Sequence, residues 1–479
     1  MNLPQLTYID LFCGAGGASI GLGDQGFDLI LANDIDRIAL ETFKHNLKKI
    51  HKNTKQELII HGGIKDLYLL LNLKGARKRI RTQSLGYMTI TTQKEKQIYE
   101  NIPKIVNNKE IQKALKNKKI VKNIDLLIGG PPCQGYSLIG RSKRGSKVDR
   151  AKGFVDDPRN QLFKYFLACA KKFDPKVVVI ENVKGLSSST NYRDLIEVSL
   201  RRTGRGYITY SLILNAKDFG VPQHRERLFF IGVRSDIAKK SKWTEASIAK
   251  LIIDRTKTHK NNDRTNLQSA IDDLPKIIAN PVPNNYAKKD EIAIGKKGSF
   301  GENISSKKYN DLIFKKNNYR VMINKYRNKI IKPLRLFNHK ARFHNENDKQ
   351  IYLTLRPGKY LNHPENKNAL KRVTYGIRLD ADGQRYLKGF VDKYFKLDSK
   401  QPSKTIIAHL ETDGNSFVHP GPIPRSITPR EAARIQSFPD WYEFRGPTRR
   451  QFRQIGNAIP PLLARVIGKI VRDILDKKG

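Results

Sequence analysis

Over its first 235 residues the chain alternates short, almost wholly apolar runs with segments of helical spacing, and no other feature restricts its fold so tightly. Leu6-Thr7-Tyr8-Ile9-Asp10-Leu11-Phe12 reads as a buried strand that ends in a glycine turn, Gly14-Ala15-Gly16-Gly17, and Ala18 to Leu22 opens a helix. Further strands are predicted at Phe27 to Ala32, Ile124 to Ile128, Lys176 to Ile180, Tyr207 to Leu214 and Arg227 to Val233. Helices fit between them, for example at Asn160 to Lys172 and Tyr192 to Arg202. Strands that are apolar on both faces must be covered on both faces. Alternation with helices is how a chain does this, so the expected fold is an α/β sheet sheathed by helices.

The rhythm breaks twice. Residues 67–123 are rich in Lys and Arg, as in Ala76-Arg77-Lys78-Arg79-Ile80-Arg81, and read as a basic insertion. It is either a solvated helical excursion or a phosphate-contacting one. The stretch from about 236 to 400 is basic, rich in Asn and Lys, and too long for one loop of a compact domain. With 479 residues in all, more than one core usually spans, two domains are expected. They are a first domain over 1–235, a second, irregular one over 236–425, and a segment over 426–479 that returns to the first. That last segment ends in an amphipathic helix, with Leu462, Leu463, Val466, Ile467, Ile470, Val471, Ile474 and Leu475 at i, i+3, i+4 spacing.

Charge points to the partner. Lys and Arg number 91 against 45 Asp and Glu, a formal net charge of +46, so a polyanion is the expected partner and nucleic acid the first candidate. An AT-rich coding sequence would account for part of the lysine but not for so few acids. The three cysteines, Cys13, Cys133 and Cys169, form no CxxC pair, so neither a zinc site nor a disulfide framework is expected. His339 and His344 lack partner ligands in the sequence, and no metal is expected. The start MNLPQLTYIDLF lacks the features of a signal peptide, and no run approaches the roughly 18 apolar residues of a membrane helix. A soluble, cytoplasmic setting is the expectation.

Four short stretches carry chemistry. The glycine turn lets a ligand approach the backbone at a helix N-terminus, and Asp34, one βαβ step on, sits where a carboxylate binds ribose hydroxyls. Asp125-Leu126-Leu127-Ile128 leads into Gly129-Gly130-Pro131-Pro132-Cys133-Gln134-Gly135-Tyr136-Ser137. A thiol in a loop stiffened by proline and glycine is set out to react, whereas an arbitrary cysteine is more often a small core residue. Val177-Val178-Val179-Ile180-Glu181 puts a carboxylate at the end of an apolar strand, where it could also be a cap or an ion-pair partner. Gln223-His224-Arg225-Glu226-Arg227 precedes another strand, and alternating residues there can face one pocket.

In this order these blocks resemble the cytosine-5 DNA methyltransferase family of bacterial restriction-modification systems. The resemblance spans residues 7–234 and about 400–465, where it includes Gln401-Pro402-Ser403-Lys404-Thr405-Ile406, Thr428-Pro429-Arg430-Glu431 through Phe438-Pro439, and Gln454-Ile455-Gly456-Asn457. It implies a Rossmann-like sheet that binds S-adenosyl-L-methionine, plus a smaller target-recognition domain. Cys133 would then attack C6 of a cytosine flipped out of duplex DNA. Glu181 would hold and protonate N3, and Arg227 and Arg225 would hold the O2 edge, the glutamate or a nearby phosphate. For the cofactor, the family pattern implies Phe12 against adenine, Gly14 and Gly16 at the methionine turn, Asp34 on the ribose and Ile35 over adenine, with Pro132, Leu162 and Asn457 lining the rest. One departure is visible: Gly62-Gly63-Ile64 stands where the family often has Gly-Asp-Ile, and Asp66 or a backbone group would have to serve in its place.

The resemblance also implies that Arg141 to Lys152 closes over DNA and contacts phosphates, and that residues about 361–400 hold the base readers, with Arg372, Arg378 and Arg385 as candidates. The expected partner is double-stranded DNA and the expected state a monomer, with a restriction endonuclease as functional companion. Two other readings stay open at this point: a tRNA cytosine-5 methyltransferase of the same family, and a non-catalytic DNA-binding relative.

Overall fold

The computed structural model describes residues 5–51, 58–64, 67, 124–132, 162–186, 190–258, 265–279, 318–331, 333, 336–374, 377–380, 382–387 and 393–476. Cys133, Asp66, the segment Arg141 to Lys152 and nearly all of the basic insertion lie outside these residues.

A seven-stranded sheet forms the centre, built from β1 (Leu6–Leu11), β2 (Phe27–Asp34), β3 (Ile59–His61), β4 (Leu126–Gly129), β5 (Val177–Val183), β6 (Tyr207–Asn215) and β7 (Glu226–Arg234) in the order β3-β2-β1-β4-β5-β7-β6. β7 runs antiparallel to both neighbours and the other pairings are parallel. The expected Rossmann-like α/β class is what the chain adopts.

Strand alternation sorts the core into two layers. Tyr8, Val177 and Val179 face one apolar cluster, while Ile9, Leu11, Val178 and Ile180 face another. Helices α1 (Gly17–Asp24) and α2 (Arg37–Ile50) cover the first face, and α3 (Leu162–Phe173) and α4 (Thr190–Arg201) cover the second.

The order also makes a crevice. From β1 the chain winds outward through β2 to β3, and from β4 it winds the other way to β5, so the strand order reverses between β1 and β4. Ligands of open α/β sheets bind beyond the strand ends at such a switch point. The two strands pair Leu11 with Gly129 there. A Cβ on Gly129 would stand 2.4 Å from the Leu11 carbonyl oxygen, so only glycine lets the two strand ends lie this close.

Downstream, α5 (Glu245–Thr258) and α6 (Leu267–Ile271) pack into the first cluster, although both lie in the segment expected to form the second domain. A separate small cluster of Ile351, Tyr352, Leu355, Leu361, Ala369, Leu370, Val373, Tyr394 and Val418 surrounds α7 (Glu346–Thr354) and α8 (Lys367–Arg372). Beside it stands a hairpin of β8 (Ile377–Leu379) and β9 (Arg385–Leu387).

The chain closes with α9 (Pro429–Ile435), α10 (Thr448–Asn457) and α11 (Pro461–Leu475). As the spacing predicts, α11 buries Leu463, Ile467, Ile470, Val471 and Ile474 completely, each contributing at most about 1.5–3 kcal/mol. It lies against α1 so closely that a Cβ on Gly21 would meet the Arg465 amide nitrogen at 2.4 Å.

α9 begins with a capping box, in which Thr428 accepts from the Glu431 amide and Glu431 accepts from the Thr428 amide. Its basic residues are wholly buried. Arg434 donates to Asp440 Oδ1 at 2.8 Å and Oδ2 at 3.1 Å, to the Ala270 carbonyl, and to Asp273. Arg425 forms a two-pronged pair with Glu431 at 2.7 and 2.8 Å.

Removing one partner of such a pair strands a charge in low dielectric, at a cost of about 3–5 kcal/mol. Arg434→Ala is therefore expected to lower thermal stability severely or to give insoluble protein. A melting temperature within a degree or two of the parent's would contradict this burial account.

Candidate active site

The β1 end and its turn make one half of the crevice. Phe12 (φ 59°), Gly14 (φ 52°) and Gly16 (φ 77°) all take left-handed backbone conformations. A Cβ on Gly16 would run into the Phe43 ring at 2.6 Å, whereas one on Gly14 would meet nothing within 4 Å. The backbone at Gly14 thus faces open space. Its amide donates to Asp34 Oδ2 at 2.8 Å, and the Asp36 amide donates to Oδ1 at 2.7 Å, which aims the carboxylate at the turn. Burial raises the Asp34 pKa while these amides hold it down.

Next to the carboxylate in the chain, Ile35 is 74% exposed. Half-buried Phe12 and Leu162 pack on the same apolar cluster from β1 and α3. The 456–459 segment flanks the turn: a Cβ on Gly17 would meet the Ile459 carbonyl oxygen at 2.5 Å, and Asn457 is exposed there. Gly62 and Gly63 follow β3, where Asn33 Nδ2 donates to the Ile60 and Gly62 carbonyls at 3.1 and 3.0 Å.

Asp10 lies under the turn with its carboxylate 2% exposed, accepting from the Ser19 hydroxyl at 3.2 Å. Burial pushes it up to about 8, the Ser19 bond opposing and the Asp34 charge adding. An unfolded aspartate titrates near 3.9. Between these values the folded chain binds the extra proton, so the stability lent by neutral Asp10 is complete below about 4 and lost as pH rises through about 8. Asp10→Asn is expected to melt progressively higher than the parent from pH 5 to 8, the gap then levelling off; parallel melting profiles would refute the assignment.

The other half of the crevice is formed by the ends of β4 and β5. Glu181 and Arg227 lie on one face of the β5–β7 pair, because Val183 stands directly opposite Arg227 and Glu181 is two residues from Val183. Arg227 Nε lies 3.0 Å from Glu181 Oε1, with the two side chains 15% and 14% exposed. The second carboxylate oxygen points toward the β4 loop, where a Cβ on Gly130 would stand 3.1 Å from Oε2. Asn182 Nδ2 donates to the Pro131 carbonyl at 3.3 Å, tying β5 to that loop two residues before Cys133. Pro132 is half-buried at the last described position of the loop.

Arg225 is placed apart from Arg227. The alternation allowed both to face one pocket, but the Arg225 guanidinium is buried and donates to the carbonyls of Ile406 (2.8 Å), Gly456 (3.2 Å) and Ala458 (3.0 Å). Burial pushes its pKa well below the usual arginine value. The physical reason is that Arg225 precedes β7, where the chain runs beside the 406 and 456–458 segments, and three of their backbone carbonyls take the guanidinium. Arg225 thereby holds the wall that carries Asn457.

Sequence reasoning missed its companions. Gln223 donates to the Ile435 carbonyl at 3.0 Å and accepts from the Ile406 amide at 3.0 Å, and Gln436 donates to the carbonyls of Ile455 and Ala458. Their only signal was glutamine within otherwise apolar or motif-like blocks.

The histidines are also accounted for. His339 bridges the Thr428 hydroxyl and the Pro275 carbonyl, and His344 meets Ser426 and Tyr352. Among the described residues no group of three or more His, Cys, Asp or Glu gathers that could hold a metal ion, and no helix is long and apolar enough to cross a membrane.

Comparison with known proteins identifies the family and the fold. The family model described as C-5 cytosine-specific DNA methylase matches residues 6–69 and 87–472. The chain is 29% identical to the type II methyltransferase M.AgeI of Thalassovita gelatinovora, over 97% of this chain and 98% of that protein. It is 29% identical to M.XorII of Xanthomonas oryzae pv. oryzae over 98% and 85% of the two chains. Its fold is similar to a solved structure described as a DNA modification methyltransferase encoded within a prophage (E. coli), with a TM-score of 0.55 at 22% identity, covering 98% of this chain and all of that one (100%).

Proposed function

From the premise that the chain belongs to the C-5 cytosine-specific DNA methylase family and is a DNA cytosine-5 methyltransferase, we propose how its own residues carry the reaction. Cys133 is the nucleophile, Glu181 the acid at N3, and Arg227 the cation that holds Glu181. The observation that supports this most is the Glu181–Arg227 pair, with Oε2 turned toward the loop that leads to Cys133.

Cytosine C5 is too weak a nucleophile to be methylated unaided. The Cys133 thiolate adds to C6, the C5–C6 π pair moves onto C5, and negative charge spreads through the ring toward N3 and O2. N3 therefore becomes more basic as the C–S bond forms, and Glu181 Oε2 gives it a proton at that moment. Arg227 occupies Oε1, which leaves Oε2 as the oxygen to meet N3, and the charge left on the carboxylate after the transfer is met by the guanidinium. After methylation, loss of the C5 proton to a base restores the double bond and expels the thiolate, and N3 returns its proton to the Glu181 carboxylate.

The open Gly14 backbone, the aimed Asp34 carboxylate and exposed Ile35 fit a nucleoside with a cationic tail, and we assign this half of the crevice to S-adenosyl-L-methionine. Asp34 accepts from the ribose hydroxyls, Phe12 and Ile35 enclose the adenine, the Gly14–Gly16 turn takes the methionine portion, and Pro132, Leu162 and Asn457 line the remainder. When bound, the cofactor supplies the electrophilic methyl group on its sulfonium.

The substrate is duplex DNA with the target cytosine turned out of the stack, because a base paired and stacked within the duplex is closed to attack by a protein side chain. The excess of cations serves the phosphates. The small cluster around α7 and α8, with what adjoins it, is the target-recognition unit, and the biological role is protection of host DNA from a companion endonuclease.

Bisulfite sequencing of DNA from cells expressing the chain tests the reading. It predicts protected cytosines within one short sequence. Absence of protected cytosines in DNA, with methylation of tRNA instead, would overturn it.

A further inference from the structure

Resting on the reading above, we propose that the β8–β9 hairpin is the ribbon that reads base edges in the major groove, with Arg378 donating to a guanine and Gln384 pairing with an adenine about two base pairs away. The hairpin pairs Ile377 with Leu387, Arg378 with Tyr386 and Leu379 with Arg385. It is anchored at both ends. At the tip, Asp380 Oδ1 accepts from the amides of Asp382 (3.1 Å) and Gln384 (2.7 Å), the Asp380 amide donates to the Gln384 carbonyl (2.9 Å), and Gly383 supplies the left-handed turn at φ 72°. At the base, Ile377 packs on the small apolar cluster, and Arg385 donates to the Val373 carbonyl at the end of α8 at 2.9 Å.

Such a ribbon, with strands about 4.8 Å apart, enters a major groove about 12 Å wide. Arg378, Leu379, Asp380, Asp382, Gln384 and Arg385 are all exposed, Leu379 to 64%. Opposite residues share a face, which puts Arg378 and Gln384 diagonally on one side, about 7–8 Å apart, or roughly two base-pair steps.

Charge argues for base reading over phosphate holding. In a chain of net charge +46 this exposed tip carries two arginines against Asp380 and Asp382, and so is locally neutral. Carboxylates at a backbone contact would be repelled by phosphate. In the groove they meet the cytosine amino donor, and arginine and glutamine make two-pronged bonds to guanine and adenine.

The test is to map the wild-type target by bisulfite sequencing, then to map Arg378→Ala and Gln384→Ala in the same way and measure rates on duplexes carrying each single-base change. The expected result is a loss of about 5- to 150-fold on the parent target for each variant. Preference should be relaxed at one base pair, a guanine for Arg378 and an adenine for Gln384, with melting temperatures unchanged. If both variants keep the rank order of sites, whether slowed uniformly or not at all, the hairpin does not read bases and the proposal falls while the methyltransferase reading stands. A wild-type protein that methylates no DNA sinks that reading and the hairpin with it.

Discussion

Replacing Cys133 with alanine is expected to extinguish methyl transfer, by about 10⁶-fold on the scale seen when a covalent nucleophile is removed from an enzyme. Without the C6–S bond the C5–C6 π electrons stay in the aromatic ring, and C5 is not nucleophilic enough to take the methyl group. On the proposed assignment Glu181 and Arg227 act on the opposite edge of the base and only stabilise charge that the thiolate creates. Binding is a separate matter: phosphate contacts and base readers do not depend on the sulfur, so the alanine variant is expected to hold its target duplex within a few fold of the parent. The measurement is single-turnover transfer of labelled methyl groups to duplex DNA, alongside a binding titration at fixed salt. Residual transfer within 100-fold of the parent would mean that another group attacks the ring, and the assignment would fall.

Glu181→Gln carries the second large effect. The amide keeps the size and can still meet Arg227, but it has no transferable proton, so the rate of C6 attack is expected to drop by about 10²- to 10⁴-fold, the range for loss of a general acid. The readout that separates chemistry from binding is the split between kcat and KM, with kcat falling and KM for DNA nearly constant. Since Arg227 Nε stands 3.0 Å from Oε1 in a mostly buried pair, Arg227→Ala should also damage the site, by leaving that carboxylate without its cation. A glutamine variant within tenfold of the parent in kcat would show that N3 takes its proton elsewhere.

Much of the catalytic half was legible because its signals are local. Apolar runs bounded by glycine marked β1, β2, β4, β5, β6 and β7, and the left-handed conformations at Gly14 and Gly16 are what glycine permits there. β3 escaped, since three residues are too few for any periodicity to register. The antiparallel course of β7 was equally hidden, because strand alternation is the same in either direction.

The site divides in the same way. Glu181 and Arg227 meet because of a strand register that their spacing along the sequence cannot express, whereas Asp34 follows β1 by one βαβ step and could be anticipated. Arg225 shows the limit most clearly: its neighbours in the chain suggested a pocket, and partners about 180 and 230 residues away decided otherwise. Residues 245–274 lie in the segment expected from sequence to form the second domain, yet Ile248, Ile252, Leu267 and Ala270 are buried in the same apolar cluster as β1 and α11, a long-range packing that no local signal announces.

The central claim is that a cysteine sulfur bonds to C6 of the target base, and a duplex with 5-fluorocytosine at the methylated position tests it most directly. Fluorine at C5 cannot leave as a proton does, so once methyl transfer has occurred the thiolate cannot be expelled. With S-adenosyl-L-methionine present, the parent protein is predicted to form a denaturant-resistant complex with this duplex in a one-to-one ratio, the Cys133→Ala variant none, and peptide mapping should find the base on Cys133. A parent protein that methylates ordinary duplex at this cytosine yet leaves the fluorinated duplex wholly unattached would contradict the account.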